Sequence, residues 1–122
     1  MNGFSNYAAS KIADLVLGNV AYTIPTTLYL AISQTSVTEA GVFTEANYTG
    51  YARVAVTNNK TTFSSAVNGL VKNAIEIMFP TATDGTSTVQ ELLIMDSSTG
   101  GNIICGGAVT TPQTIAAGQR PI

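Results

Sequence analysis

TLYLAIS, residues 27–33, is the stretch that indicates the fold class most clearly. Leu28, Leu30 and Ile32 alternate with smaller or polar residues along it. Successive side chains of a β-strand point to opposite faces, so this period of two predicts a strand with one strongly apolar face. Pro25 lies just before it, where the apolar period changes from 3.6 residues to two.

The segment before this strand has the pattern of an amphipathic helix. Four apolar residues of NYAASKIADLVL, residues 6–17, fall at the spacing of one helix face: Ala8, Ile12, Leu15 and Val16. Ser5 is a natural N-cap, and Gly18 and Asn19 tolerate the left-handed conformation that ends helices. We expect the apolar stripe of this helix to cover either the open end of its own sheet or a partner subunit.

The rest of the chain alternates between short apolar runs and turn-rich segments. These runs predict strands at residues 51–57, 72–79, 89–96 and 102–110, and a short edge strand at 61–63. In the 72–79 run, Ile75, Ile77 and Phe79 are expected to point inward. QTSVTEAGVFTEANYTG, residues 34–50, lacks a clean period and predicts a long surface loop. The last twelve residues show no clear strand pattern.

Several short strands with turn signals about every ten residues favour antiparallel pairing over parallel crossover units. A chain of 122 residues is long enough for one core. We therefore predict a mainly β fold in a single domain, residues 1–122. The expected architecture is an antiparallel β-sandwich, jelly-roll-like or a partly open barrel, with one short N-terminal α-helix at about residues 6–17.

Charge is scarce in this chain. Only 10% of residues are charged, against about 25% in typical soluble domains. The low charge fits a surface that neighbours partly cover, and equally a neutral β surface rich in Thr and Ser. The net charge is −2, and the five basic residues are scattered, so the concentrated basic footprint of a nucleic-acid-binding protein is absent. No run approaches the ~20 apolar residues of a membrane span, and no signal peptide pattern is present.

The residues that usually carry catalysis are few. The chain has no histidine and one cysteine, Cys105, which excludes an internal disulfide framework and disfavours zinc and other histidine-dependent metal sites. Without histidine the usual base of nucleophilic catalysis is missing, and no catalytic motif stands out. We predict that the protein is not an enzyme and needs neither cofactor nor metal. Cys105, between Ile104 and Gly106, is expected to be a small buried hydrophobe.

Helix and aromatic residues supply the candidate interface. Aromatic side chains can anchor interfaces or stack on sugars, although tyrosines in strands more often cover the edges of a core. The candidate assembly interface consists of Ala8, Ile12, Val16, Tyr22, Phe43 and Tyr48.

The order of motifs along the chain resembles that of a known family. The motifs are SNYAASKIADLVLGN (5–19), AYTIPTTLYLAIS (21–33), GYARVAVT (50–57), FPTAT (79–83) and TGGNIICGGAVTTPQTIAAGQ (99–119). This order resembles small structural proteins of tailed-bacteriophage virions, described as tail-fibre-like or as capsid decoration proteins. Members of that family often have a tryptophan before the third major strand and continue into a last strand. This sequence has no tryptophan and stops at Ile122, so its last strand is shorter, or the sequence is truncated, or a partner completes the sheet.

The resemblance implies a structural role in a virion, with synthesis in the host cytoplasm. The first expectation is a capsid decoration or cement protein that binds between capsid subunits, with the major capsid protein as partner. The alternative is a tail or tail-fibre-associated module for host recognition, with tail proteins as partners and contacts in residues 34–50. In either case we expect a symmetric homo-oligomer that binds neither nucleic acid nor membrane.

Overall fold

The computed structural model of the protein describes residues 1–121. It contains one five-stranded antiparallel sheet and one helix, so the mainly β fold with a short N-terminal helix is confirmed. The elements are β1 (Gly3–Phe4), α1 (Asn6–Gly18), β2 (Thr27–Ser33), β3 (Val54–Thr57), β4 (Ser87–Met95) and β5 (Ile103–Ile115). The strands lie in the order β1-β5-β4-β2-β3.

Strand β2 has the bounds expected from its alternation and pairs with β3 on one side and β4 on the other. Its alternation defines the two faces of the sheet. We call the face that carries Leu28, Leu30 and Ile32 the front face. The opposite face, which carries Tyr29 and Ala31, is the back face.

The back face is covered by the loop that follows β2. Val37 and Phe43 of this loop pack against Ala31, Leu93 and Met95. On the front face, a second cluster packs on Ile32 and Val89; its members from outside the sheet are Ala46, Tyr48, Phe79 and Ala82. The covering segments have little regular structure, so residues 1–121 form one sheet with irregular covers, and not the two packed sheets of a sandwich. Their backbone bonds run within turns and isolated bridges instead of a second ladder.

Helix α1 begins and ends where its caps predict. The Ser5 hydroxyl accepts a hydrogen bond from the Ala8 amide at 3.1 Å, as an N-cap does. Asn19 follows the last helical residue in the left-handed conformation, with φ 53°. Within residues 1–121 no helix has the length and apolar character needed to cross a membrane.

The strand predicted at residues 72–79 does not form. This segment makes only two backbone hydrogen bonds to the preceding turn, from Ser64 to Lys72 and from Ala74 to Thr62, and a single bridge replaces the edge strand predicted at 61–63. An alternating sequence forms a strand only when a neighbouring strand takes its backbone hydrogen bonds, and this segment has no more than these two bonds and one bridge. Phe79 is buried as predicted, whereas Ile75 is exposed and Ile77 only half-buried.

Strand β5 is longer than predicted, and runs through Pro112 to Ile115. Its pairing with β4 is irregular here: Val89 lies opposite Gln113, but Glu91 lies opposite Ala108. Pro112 falls in the bulged part of β5, where no ladder bond needs its missing N–H. The last segment of the chain therefore contributes to the sheet, which its composition did not predict.

Strand β3 is shorter than predicted and starts at Val54 instead of residue 51. The edge of β2 beyond Leu30 is already occupied, because the Ala46 amide donates to the Ile32 carbonyl at 2.9 Å. Residues 51–53 therefore have no strand edge to pair with, although their alternation fits a strand.

Candidate assembly interface

The second half of α1 is exposed along its whole length. Every residue from 11 to 18 is exposed, as are the two residues that follow the helix, and we call residues 11–20 the arm. Its apolar side chains include Ile12 at 40%, Val16 at 71% and Leu17 at 87% exposure. Apolar side chains grouped in this way are typical of a surface that another molecule covers.

The first turn of α1 is anchored to the rest of the chain. The Ser5 amide donates to the Ile104 carbonyl at 3.1 Å, and the Asn6 amide donates to the Glu39 carbonyl at 2.9 Å. The Ser5 hydroxyl also donates to the carbonyl of Ile103. These bonds and the burial of Ala8 fix the start of the helix against β5, while the arm receives no cover.

A second uncovered apolar surface is a groove of about 850 Å³ on the front face. Its floor is the part of the sheet that Tyr48 and Phe79 leave open, and one wall comes from residues 58–79. Leu92, in the middle strand, is 38% exposed there. Apolar side chains that line the groove include Phe4, Leu28, Leu30, Phe63, Leu92 and Ile94.

The charged residues that line the groove are all basic. Lys60 and Lys72 are among its lining residues, and no acidic residue is. The Lys60 ammonium donates to the Ser64 carbonyl at 2.9 Å, which holds it beside the wall. An apolar groove with two lysines favours an apolar ligand that carries a negative end.

Cys105 also lines this groove and is half-buried. Burial raises the pKa of its thiol. The thiolate is the nucleophilic form of cysteine, so at neutral pH this side chain behaves as a neutral and weakly reactive group. Its chemistry suits an apolar lining residue.

The loop between β2 and β3 is held by a network around Glu45. Arg53 donates to both carboxylate oxygens of Glu45, from Nε at 2.8 Å and from Nη2 at 2.9 Å. Tyr51 adds its hydroxyl at 2.6 Å, and Arg53 Nη1 donates to the Ser97 carbonyl at 2.7 Å. The network ties this loop to the turn between β4 and β5, so the loop has a defined shape.

The Glu45 network makes stability sensitive to acid. Burial alone would raise the pKa of Glu45, but the hydrogen bonds from Arg53 and Tyr51 and the charge of Arg53 hold it below its ordinary value of 4.5. A lowered folded-state pKa contributes stability above the unfolded value, and this contribution is lost as pH falls through the folded value. We expect the unfolding free energy, from urea titrations between pH 7 and 3, to fall more below pH 4.5 in the wild type than in Glu45→Gln. Identical acid limbs would contradict this prediction.

The structure separates the residues of the predicted interface. Ile12 and Val16 lie together on the arm, and Tyr22 is half-buried with its ring 6.5 Å from that of Tyr7. Phe43 packs on the back face, whereas Tyr48 is buried in the cluster of the front face. Ala8 is also buried, so it and Tyr48 are enclosed by their own chain. Contact of the exposed residues with a partner stays a prediction.

Sequence reasoning missed the groove. Leu92 and Ile94 line it, and they belong to a run of four apolar residues, LLIM at 92–95. Such a run signals a strand that is apolar on both faces, and this signal could have pointed to a second covered surface. Lys72 and Phe4 join the groove from distant parts of the chain, for which the sequence carries no local signal.

Comparison with known families supports the resemblance to phage virion proteins. Residues 3–121 match the model of the family described as Podophage GP4 fiber I protein gp80. No curated protein matches the chain. Because the match covers nearly the whole sequence, the chain belongs to the family of podophage GP4 fiber I protein gp80, and it is a structural component of a phage virion.

Proposed function

We propose that this protein is a non-enzymatic subunit of a podophage fiber, and that it holds its place by burying its arm and groove against neighbouring virion proteins. The observation that carries the proposal is the pair of apolar surfaces that the chain leaves uncovered, the arm and the groove. Burial of apolar surface drives most protein association. A subunit with so few charges has little repulsion to overcome when it assembles.

The family description favours a fiber over the head. The sequence alone put capsid decoration first and a tail-fibre-associated module second, whereas the family is described by a fiber protein. The fiber therefore becomes the first proposal and head decoration the second. Host recognition by residues 34–50 belongs to the fiber proposal and stays a prediction.

A structural role also agrees with the contacts of the two buried or half-buried glutamates, which form ion pairs within the fold. Glu91 is 1% exposed and pairs with the N-terminal amino group at 2.8 Å, and Glu45 is held by Arg53. Both carboxylates make contacts within the fold instead of facing the groove. We propose synthesis in the host cytoplasm, followed by incorporation into the particle with tail proteins as partners.

Immunogold electron microscopy of intact particles tests the location. Antibodies against the purified protein are expected to label the fibers of the tail. Particles assembled without the protein serve as the control and should carry no gold. Label spread over the head lattice would reject the fiber proposal in favour of decoration.

A further inference from the structure

We propose that the native state needs a free amino group at Met1, so that any acyl group on this nitrogen, whether a formyl group or a preceding residue, must be removed during maturation. The requirement comes from Glu91, whose buried carboxylate takes its counter-charge from that amino group. The inference goes beyond the proposed function, since it concerns how the subunit matures and not where it binds.

Glu91 is a charged residue in the middle of the sheet. It lies on β4 between Ser33 of β2 and Ala108 of β5, and its side chain is 2% exposed. Glu91 is two residues from Leu93, which belongs to the back-face cluster, so its side chain points to the back face as well. A carboxylate buried in this way is costly unless it is paired and hydrogen-bonded.

Two groups from distant parts of the chain contact this carboxylate. Its Oε1 accepts from the amino group of Met1 at 2.8 Å, and its Oε2 accepts from the amide of Val37. Within residues 1–121, no lysine or arginine side chain forms an ion pair with Glu91. The amino group of Met1 is therefore its counter-charge, and the same carboxylate holds the start of the loop over the back face.

The fold encloses residue 1. The side chain of Met1 is 0% exposed and packs against the back-face cluster. The Oδ1 atom of Asn2 accepts from the amide of Ala108 at 2.9 Å, and β1 then continues along β5. Gly106 leaves room for this arrangement, because a Cβ there would lie 3.1 Å from Met1 Cε. These contacts hold the nitrogen of Met1 beside the carboxylate.

An acyl group would remove the charge of this nitrogen. A free amino group is positively charged at neutral pH, whereas a formamide or peptide nitrogen is neutral and keeps one N–H. Acylated Met1 could still donate a hydrogen bond, but it would leave the Glu91 carboxylate buried without a counter-charge, which is strongly destabilising. Hydrolysis by a deformylase or protease restores the pair: water cleaves the C–N bond, the acyl group leaves as a carboxylate, and the nitrogen becomes an ammonium.

Two forms of the full chain that differ only in a formyl group test the requirement. Translation with reconstituted bacterial components gives formylated Met1 when deformylase is omitted and free Met1 when it is added, and mass spectrometry identifies each form. In urea unfolding at pH 7, the ratio of folded to unfolded protein is expected to be about a hundredfold lower for the formylated chain, as for a buried ion pair that has lost one partner.

Glu91→Gln separates the lost charge from the added bulk. A neutral amide needs no counter-charge, so formylation is expected to lower the folded ratio of Glu91→Gln by less than about tenfold. Glu76→Gln, at an exposed carboxylate, is the matched control and should show the full effect seen in the wild type. Should Glu91→Gln fail to fold, which circular dichroism would reveal, Glu91→Met makes the same comparison with an uncharged side chain of similar length.

Three results would overturn the inference. The first is a formylated wild type as stable as the free form. The second is an equal loss on formylation in the wild type and in the uncharged Glu91 variant, since bulk and not charge would then be the cause. Mass spectrometry of protein from intact particles is expected to find a free amino group at Met1. A formyl group or a preceding residue there is the third.

Discussion

Replacement of Glu91 by leucine is expected to lower the free energy of unfolding by about 3–5 kcal/mol, the usual cost of removing one partner of a buried ion pair. Glu91 is 1% exposed. Its Oε1 accepts from the amino group of Met1 at 2.8 Å, and its Oε2 accepts from the amide of Val37. Leucine would leave a buried ammonium and a buried amide without acceptors. Urea unfolding followed by circular dichroism measures the loss.

Two further variants separate charge from hydrogen bonding at this position. Glu91→Gln keeps an acceptor and a similar shape, so its loss should be smaller than that of Glu91→Leu. Glu76→Leu changes an exposed carboxylate and should alter stability by no more than about 0.5 kcal/mol. A Glu91→Leu protein as stable as the wild type would show that the pair contributes nothing to the fold.

Replacement of Arg53 by methionine is the second large expected effect, a loss of about 2–4 kcal/mol. The Arg53 side chain is 4% exposed, whereas the Glu45 side chain is 29% exposed. Water can therefore partly solvate the Glu45 carboxylate when Arg53 is removed, which lowers the loss in free energy of unfolding. Methionine would also release the carbonyls of Ser97 and Gly100, to which Arg53 donates at 2.7 and 2.9 Å. Urea unfolding at pH 7 gives the size of the loss.

A conservative variant and an exposed one control the Arg53 result. Arg53→Lys keeps the charge but not the two parallel hydrogen bonds, so it should fall between wild type and Arg53→Met. Arg120→Met, at an exposed arginine, should change stability by no more than about 0.5 kcal/mol. Equal losses for Arg53→Met and Arg120→Met would contradict a structural role for the network.

Part of the candidate interface could be predicted from the sequence. Ile12 and Val16 follow from helical spacing alone, and both are exposed on the arm. Tyrosine is a common residue type at interfaces, but Tyr48 is buried, because Phe79 and Ala82 from a distant segment pack around it. The groove forms because Phe4, Leu92 and Lys72 come together on one face of the sheet. The periodicity within each segment does not indicate which distant segments lie next to each other.

The sequence by itself determined the elements whose signals are local. Helix α1 has its stripe and caps within about fifteen consecutive residues, and β2 has its alternation within seven, so neither needs distant partners to be recognised. Only the tertiary structure decided that residues 72–79 form no strand and that Pro112 lies within one. The reason is that a strand forms where a neighbouring strand accepts its hydrogen bonds. It also decided that the front face stays partly open beside the projecting arm, since cover depends on where distant segments pack.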